Sequence, residues 1–323
     1  MEEGIVPAHG VPMEPIDMRG VQDEPWRNLP LAWALPVSVA RAAGMMRRFA
    51  PSVVLGTGGY ITAPVGMAAL LRRVPLVLQE QNVVPGRTTR TLARRARLVC
   101  TAFAETAARL PGVPTEHTGT PLREEFAAAG REARLRPAEE RRDLRRLVVV
   151  GGSQGAHRIN TAVAEALKTL LEVPGLHVHH VCGKLDIDHL AAMRGGLEPE
   201  MRERYVVEEF NERLLDVLRD ADLVVSRAGG SAIAEVTALG VPLILVPYPH
   251  AGAHQRYNAE PVARAGAATV VPDEELSGVR LADEVGRLAR DPALLARMRR
   301  ASLDFGRPDA AREVARRVLE VGA

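Results

Sequence analysis

Lysine is almost missing from this 323-residue chain. Lys168 and Lys184 are the only two, so nearly all the positive charge is arginine, and no single arginine marks a phosphate site by its presence alone. An excess of one sign is lacking too. A formal net charge of +2 gives no global field to gather nucleic acid or acidic lipid. Cysteine is reduced to Cys100 and Cys182, each isolated in an apolar run, which excludes a disulfide framework and a cysteine-ligated zinc site. A reducing cytoplasm is the compartment expected. Long apolar runs are also absent: the longest low-charge stretch, NLPLAWALPVSVA from Asn28 to Ala40, falls well short of the about 20 residues that span a bilayer. Met1 is followed by Glu2 and Glu3, not by the basic and then apolar opening of a secretory signal.

What is present is an alternation of apolar strand-like runs with helical patterns, the mark of doubly wound α/β domains. In the first half, Val53 to Gly56 leads into GTGGY and a helix through Leu71. Pro75 to Leu78 leads into the polar knot Gln79-Glu80-Gln81-Asn82 and a helix through Arg95; Leu98 to Thr101 and Glu116 to Gly119 follow. Arg131 to Arg146 is charged, contains proline and has no apolar period, so it reads as a linker. The pattern then restarts with Leu147 to Val150, a GGSQGA turn and a helix from Asn160 to Leu171. Val178 to Cys182 and Tyr205 to Glu208 are further strands, and Arg280 to Arg300 and Ala310 to Leu319 are amphipathic helices. The domains expected are 1–125, completed by a C-terminal helix over 308–323, a linker over 126–145, and 146–307.

The richest stretch is Leu223 to Asn258, LVVSRAGGSAIAEVTALGVPLILVPYPHAGAHQRYN. Leu223 to Val225 is a buried strand. Gly229 and Gly230 turn the chain, Ser231 is placed to cap a helix from Ala232 to Leu239, Gly240 ends it, and Leu243 to Val246 is the next strand. Such a unit points helix N–H groups out of the carboxyl end of the sheet, where an anion binds favourably. Glu235 lies one turn along that helix, within reach of a sugar hydroxyl beside a phosphate; an ordinary solvated glutamate fits the spacing equally well.

Two more glycine turns follow strands. Gly151-Gly152-Ser153-Gln154-Gly155-Ala156 lets backbone approach a diphosphate, with Ser153 as a hydroxyl donor, yet it is neither a Walker loop nor the spaced dinucleotide fingerprint. Gly56-Thr57-Gly58-Gly59-Tyr60 suits a second pyrophosphate or merely a tight turn. Asp186-Ile187-Asp188 reads as a solvated helix start. Strand alternation puts His177 and His179 on one face and His180 on the other, which is a poor zinc site. Leu29, Leu31, Trp33, Leu35 and Val37, followed by Arg41, Arg47 and Arg48, form an apolar patch with an arginine collar, suited either to an anionic leaflet or to the start of a core helix.

With these pieces in place, the chain resembles the MurG family, glycosyltransferase family 28, along almost its whole length. VLGTGGYITAP, QEQNVVPGRTTRTLARRA, TGTPLR, VVVGGSQGAHRIN and RAGGSAIAEVTALGVPLILVPYPHAGAHQRYNA occur in the family's order. The resemblance implies a GT-B fold, two Rossmann-like domains facing a cleft, and inverting transfer of N-acetylglucosamine from UDP-N-acetylglucosamine to lipid I (undecaprenyl-pyrophosphoryl-MurNAc-pentapeptide), giving lipid II for peptidoglycan. No nucleotide-binding metal or other cofactor is implied, and no nucleic-acid partner.

The resemblance also implies roles. Glu235 would hold the ribose hydroxyls, Phe210 and the backbone of Asn211 the uracil, and Ser153 and Arg123 the diphosphate. Asn160 and Arg227 fall near the nucleotide, His254, Gln255 and Asn258 at the donor sugar, and Glu80 and Asn82 along the cleft. Gly58, Gly59 and Tyr60 would meet the acceptor's pyrophosphate. The arginine-collared patch would dock the protein on the cytoplasmic face of an anionic membrane. Family members open with a strand and a G-G-T-G-G-H loop whose histidine is the usual base candidate; this chain starts after them, which is read as a start recorded too late, and the catalytic base is left unassigned. Gln79 stands where His is common and Ala232 where Thr is usual. The alternatives are a UDP-N-acetylglucosamine 2-epimerase, which needs no lipid acceptor, and a non-catalytic UDP-sugar-binding protein.

Overall fold

The structure is a computed structural model that describes residues 6, 10–16, 18, 29–136, 142–151, 156–249 and 254–323, with side chains from 33 onward in the first helix. The chain forms two compact units. The first takes residues up to Glu80, Pro85–His117 and Val314–Ala323; the second takes Gln81–Val84 and Thr118–Glu313.

In the first unit, strands β1 (Val54–Gly56), β2 (Leu76–Glu80), β3 (Leu98–Thr101) and β4 (Thr115–His117) form a parallel sheet in the order β1-β2-β3-β4. β2 is buried at every position, and its alternation supplies both faces. Leu76 and Leu78 join Leu92, Val99 and Leu110 on one side, while Val77 joins Cys100 and Val314 on the other. A strand covered on both faces carries an unbroken apolar run rather than an alternating one. The strand continues through Gln79 and Glu80, which the sequence pattern assigned to a polar knot. Helix Leu29–Phe49 packs Val39, Ala42 and Met46 on Ala68 and Ala69 of helix Thr62–Leu71.

The second unit holds strands β5 (Arg146–Val150), β6 (His177–Val181), β7 (Tyr205–Glu208), β8 (Leu223–Ser226), β9 (Leu243–Leu245) and β10 (Ala268–Val270), all parallel, in the order β10-β9-β8-β5-β6-β7. The chain lays down β5, β6 and β7 outward in one direction, then returns to pair β8 on the other side of β5. Strand order therefore reverses between β5 and β8, and in such sheets the crevice outside the carboxyl ends at the reversal takes the ligand. The core beneath is large, built on Leu147, Val149, Leu223, Val225 and Ile244 from the sheet and Ile159, Val163 and Leu167 from helix His157–Glu172.

Several elements differ from the sequence expectation. Residues 126–135, expected to be linker, are helical as part of Glu124–Leu135, whose Phe126, Ala127 and Ala133 are buried. The many charges lie on its outer side and mask a narrow apolar stripe of alanines. Arg280 to Arg300 is two helices, Gly278–Ala289 and Pro292–Phe305. Asp291 caps the second, accepting from Leu294 N at 2.8 Å, and Pro292 occupies its first turn, an ordinary start signal. Gly229, not Ser231, is the N-cap of helix Gly230–Ala238.

Candidate donor-binding site

Two chain segments leave the switch point of the second unit. From β5 the chain passes through Gly151 to helix His157–Glu172; from β8 it passes through Arg227, Ala228 and Gly229 to helix Gly230–Ala238. Residues 152–155, including Ser153, lie outside the described residues. Both helices begin at the crevice, and neither has a side-chain cap among the described residues; first-turn N–H groups have no partner within their own helix, the local chemistry for a phosphate.

Glu235 projects from the second of these helices with its side chain 24% exposed, and Arg123 lies 3.8 Å from it. Burial raises the Glu235 pKa, Arg123 counters that shift, and Glu125 adds to it. Among the described residues Arg123 is the cation paired with this half-buried carboxylate, and an ionised carboxylate has lone pairs for several donors. Arg123 precedes helix Glu124–Leu135, pairs with Glu125 at 2.9 Å and lies over the Phe126 ring at 4.7 Å. At the far end of that helix Arg134 donates to Ala238 O, the last carbonyl of the Glu235 helix, at 3.1 Å, so the two helices are also joined at the C-terminal end of the Glu235 helix.

Gly230 is fixed by close approach: a Cβ there would stand 2.2 Å from Gln81 O. The Gln81–Val84 segment is held in place by Asn258, which is fully buried. Its Oδ1 accepts from Val83 N at 2.9 Å, and its Nδ2 donates to Asn82 Oδ1 at 2.9 Å and Ala228 O at 3.2 Å. The structure thus brings Asn82 and Asn258 together beside the Gly229 turn. Gln255 accepts from Tyr248 N at 3.0 Å. His254 Nδ1 is buried with no hydrogen-bond partner among the described residues, the kind of atom a ligand satisfies.

Arg227 is committed elsewhere. It pairs with Asp273, donates to Val246 O at 3.2 Å and lies over Tyr248. Asn160 is more deeply committed: it is 1% exposed, with both amide hydrogens on Cys182 O and Asp186 and its carbonyl facing His180. At the end of β7, Phe210 is 65% exposed, a large apolar ring with an open face. Asn211 beside it donates to Glu208, which also meets His179. Asp186, expected to be a solvated helix start, is 9% exposed and accepts from Asn160 at 2.6 Å and His157 Nδ1 at 2.7 Å. Burial works to raise its pKa, but those hydrogen bonds and the nearby histidines hold it below the usual carboxylate value.

In the first unit, Glu80 is 4% exposed and its Oε2 accepts from Gly86 N at 3.0 Å. Gly58 and Gly59 have φ of +90° and +73° with open space around them, so backbone conformation and not crowding requires glycine. Tyr60 follows, half exposed. Among the described residues no group of three or more His, Cys, Asp or Glu side chains is placed to hold a metal ion, and no helix is long and apolar enough to cross a membrane.

Two parallel-sheet α/β units in one chain, with glycine turns at the strand carboxyl ends, are the architecture of the GT-B fold. The glycosyltransferase family 28 N-terminal domain matches residues 1–101 and the family's C-terminal domain residues 146–314. A protein of Moorella thermoacetica named UDP-N-acetylglucosamine--N-acetylmuramyl-(pentapeptide) pyrophosphoryl-undecaprenol N-acetylglucosamine transferase is 41% identical, over 99% of this chain and 88% of its own length. The protein of the same name from Alkalilimnicola ehrlichii is 39% identical over the same shares. The crystal structure of Acinetobacter baumannii MurG superposes with a TM-score of 0.77 at 26% identity, over 99% of this chain and 88% of that one. This chain belongs to glycosyltransferase family 28. A Neisseria meningitidis UDP-GlcNAc 2-epimerase shares the fold at a TM-score of 0.64 and 12% identity, over 92% of this chain and 83% of that one.

Proposed function

We propose that this protein transfers N-acetylglucosamine from UDP-N-acetylglucosamine to the muramyl sugar of lipid I, forming lipid II for peptidoglycan. The observation that carries this reading is the 41% identity, along nearly the whole chain, to a relative whose name states that transfer. The switch-point crevice with Glu235 beside Arg123 supports it.

In this reading Glu235 accepts from the ribose hydroxyls, and Phe210 with the Asn211 backbone holds the uracil. Arg123, the N-termini after Gly151 and Gly229, and Ser153 receive the diphosphate. His254 and Gln255 face the donor sugar, while Asn258, the third residue expected there, is buried and acts by holding Asn82 and Val83 in place. Gly58, Gly59 and Tyr60 would take the acceptor's pyrophosphate. The acceptor 4-hydroxyl attacks the anomeric carbon from the face opposite the diphosphate. The new C–O bond forms as the bond to the β-phosphate oxygen breaks, so the anomeric centre inverts and the electron pair leaves on UDP. Charge growing on that oxygen is met by fixed N–H dipoles and Arg123, which strengthen as it develops. By resemblance to the family, no nucleotide-binding metal takes part. The hydroxyl proton passes to a general base.

Peripheral attachment to the cytoplasmic face of an anionic membrane belongs to the same proposal. Helix Leu29–Phe49 exposes Trp33 (82%) and Val37 (67%) near Arg41, while Leu35 packs into the core. Amphipathic surfaces of this kind bury their apolar residues at the headgroup boundary, with arginines on the phosphates. The reading is tested by incubating the protein with UDP-N-acetylglucosamine and a soluble lipid I analogue. Mass spectrometry should find the acceptor heavier by one N-acetylhexosamine, and the anomeric proton coupling in NMR should show a β-linkage; an unmodified acceptor would refute it.

A further inference from the structure

Beside Gly151 lies a buried chain of hydrogen bonds whose direction follows atom by atom. Asn160 Nδ2 faces two acceptors, Cys182 O at 2.8 Å and Asp186 Oδ2 at 2.6 Å, so its amide orientation is fixed. Asn160 Oδ1 then faces His180 Nε2 at 3.0 Å, which must carry the ring proton. His180 Nδ1 is left as an acceptor for the Tyr205 hydroxyl at 3.1 Å. Burial, only partly offset by Asp186, depresses the His180 pKa to about 4, so the ring is neutral, as this arrangement requires; burial likewise keeps the proton on Tyr205. Tyr205 and His180 are fully buried and Asn160 nearly so. The sequence runs Tyr205 to His180 to Asn160 to Asp186, with each group donating to the next and the carboxylate as terminus. Its outer oxygen accepts from His157, the first residue of the helix that follows the turn.

This chain ties together the backbone that borders the turn. Asn160 joins the helix to Cys182 O beyond β6, and Gly151 N donates to Val181 O at 2.9 Å. A Cβ on Gly151 would stand 3.1 Å from Ala156 N, 3.2 Å from Cys182 O and 3.4 Å from Asn160 Oδ1, so the backbone is seated directly on this group.

We propose that Asp186 is a positioning residue for donor binding: through Asn160 and His157 it fixes Gly151 and the N-terminus of helix His157–Glu172, whose N–H groups meet the diphosphate. The inference rests on the reading of this crevice as a UDP site. Its sign separates it from simple electrostatics. A carboxylate near a diphosphate repels it, so if charge alone mattered, Asp186→Ala would tighten UDP. Positioning predicts the opposite, because losing the terminal acceptor frees Asn160 to turn and leaves a buried N–H unsatisfied.

The test compares binding of UDP, by titration calorimetry, with binding of uridine, by NMR titration, to the full chain and to Asp186→Ala. UDP affinity is expected to fall about tenfold, the scale of one well-placed hydrogen bond, while uridine affinity stays within about twofold because its contacts lie at Glu235 and the β7 end. KM for UDP-N-acetylglucosamine should rise more than kcat falls. Asp186→Asn, which retains one acceptor oxygen, should fall between the two. Uridine binding shows that each variant is folded. Equal weakening of UDP and uridine would mean a merely structural role and overturn the proposal, as would unchanged or tighter UDP. If the unaltered protein binds neither ligand, the site reading itself fails.

Discussion

Replacing Glu235 should separate binding from stability. Its carboxylate is 24% exposed and Arg123 is 3.8 Å away and 57% exposed, so the pair contributes at most about 1 kcal/mol to folding. Burial acts against the charge and raises its pKa. The sign follows: a carboxyl whose folded pKa is raised supports folding at pH below its ordinary value, and that support is lost as pH rises through the folded pKa. At neutral pH the ionised group therefore sits at a net cost, and Glu235→Gln should be no less stable than the unaltered protein. In binding the same group would accept hydroxyl hydrogen bonds as an anion, worth about 1.5 to 3 kcal/mol, or roughly 10- to 150-fold in Kd. Calorimetry with UDP and 2′,3′-dideoxy-UDP on the protein and on Glu235→Ala forms a double-mutant cycle. The dideoxy analogue should lose affinity on the unaltered protein and lose almost nothing further on the variant. Additive losses, or an unchanged UDP affinity, would refute the ribose assignment.

Three further outcomes are expected. Gly230→Ala drives a Cβ to 2.2 Å from the Gln81 carbonyl, a backbone atom that cannot step aside cheaply; urea unfolding should show a loss of about 1–3 kcal/mol together with weaker UDP binding. His180, depressed from 6.5 to about 4, refuses a proton that the unfolded chain accepts. Stability should therefore fall as pH drops below 6.5 and level off near 4, by roughly 3 kcal/mol in all, and His180→Gln should flatten that part of the pH dependence. Trp33→Asp, at a position 82% exposed, should leave the melting temperature unchanged yet reduce sedimentation with vesicles containing anionic lipid; equal sedimentation would remove the helix from the membrane surface.

The strands were legible because parallel strands buried on both faces leave unbroken apolar runs, as Leu76 to Leu78 and Leu223 to Val225 do. Helix Glu124–Leu135 was not: small alanines among arginines and glutamates carry little apolar signal, and its burial is evident only from its neighbours. The break at Asp291-Pro292 was present in the sequence as a cap followed by a proline, hidden inside one continuous amphipathic period. At the site, Glu235 could be placed because turn and helix are local. The commitments of Asn160 and Arg227 to Asp186 and Asp273 depend on chain brought together from 26 and 46 residues away, and spacing carries no trace of such pairing. Strand alternation did put His180 opposite His177 and His179; that it is buried against Tyr205 follows from the register Val178↔Tyr205 and His180↔Val207.

The central claim is sugar transfer to an acceptor, and release of UDP tests it most directly. UDP liberated from UDP-N-acetylglucosamine should rise many-fold above background only when a lipid I analogue is added. Release at the same rate without acceptor would point to epimerase-type chemistry, and UDP binding with no release under either condition would contradict the transferase account.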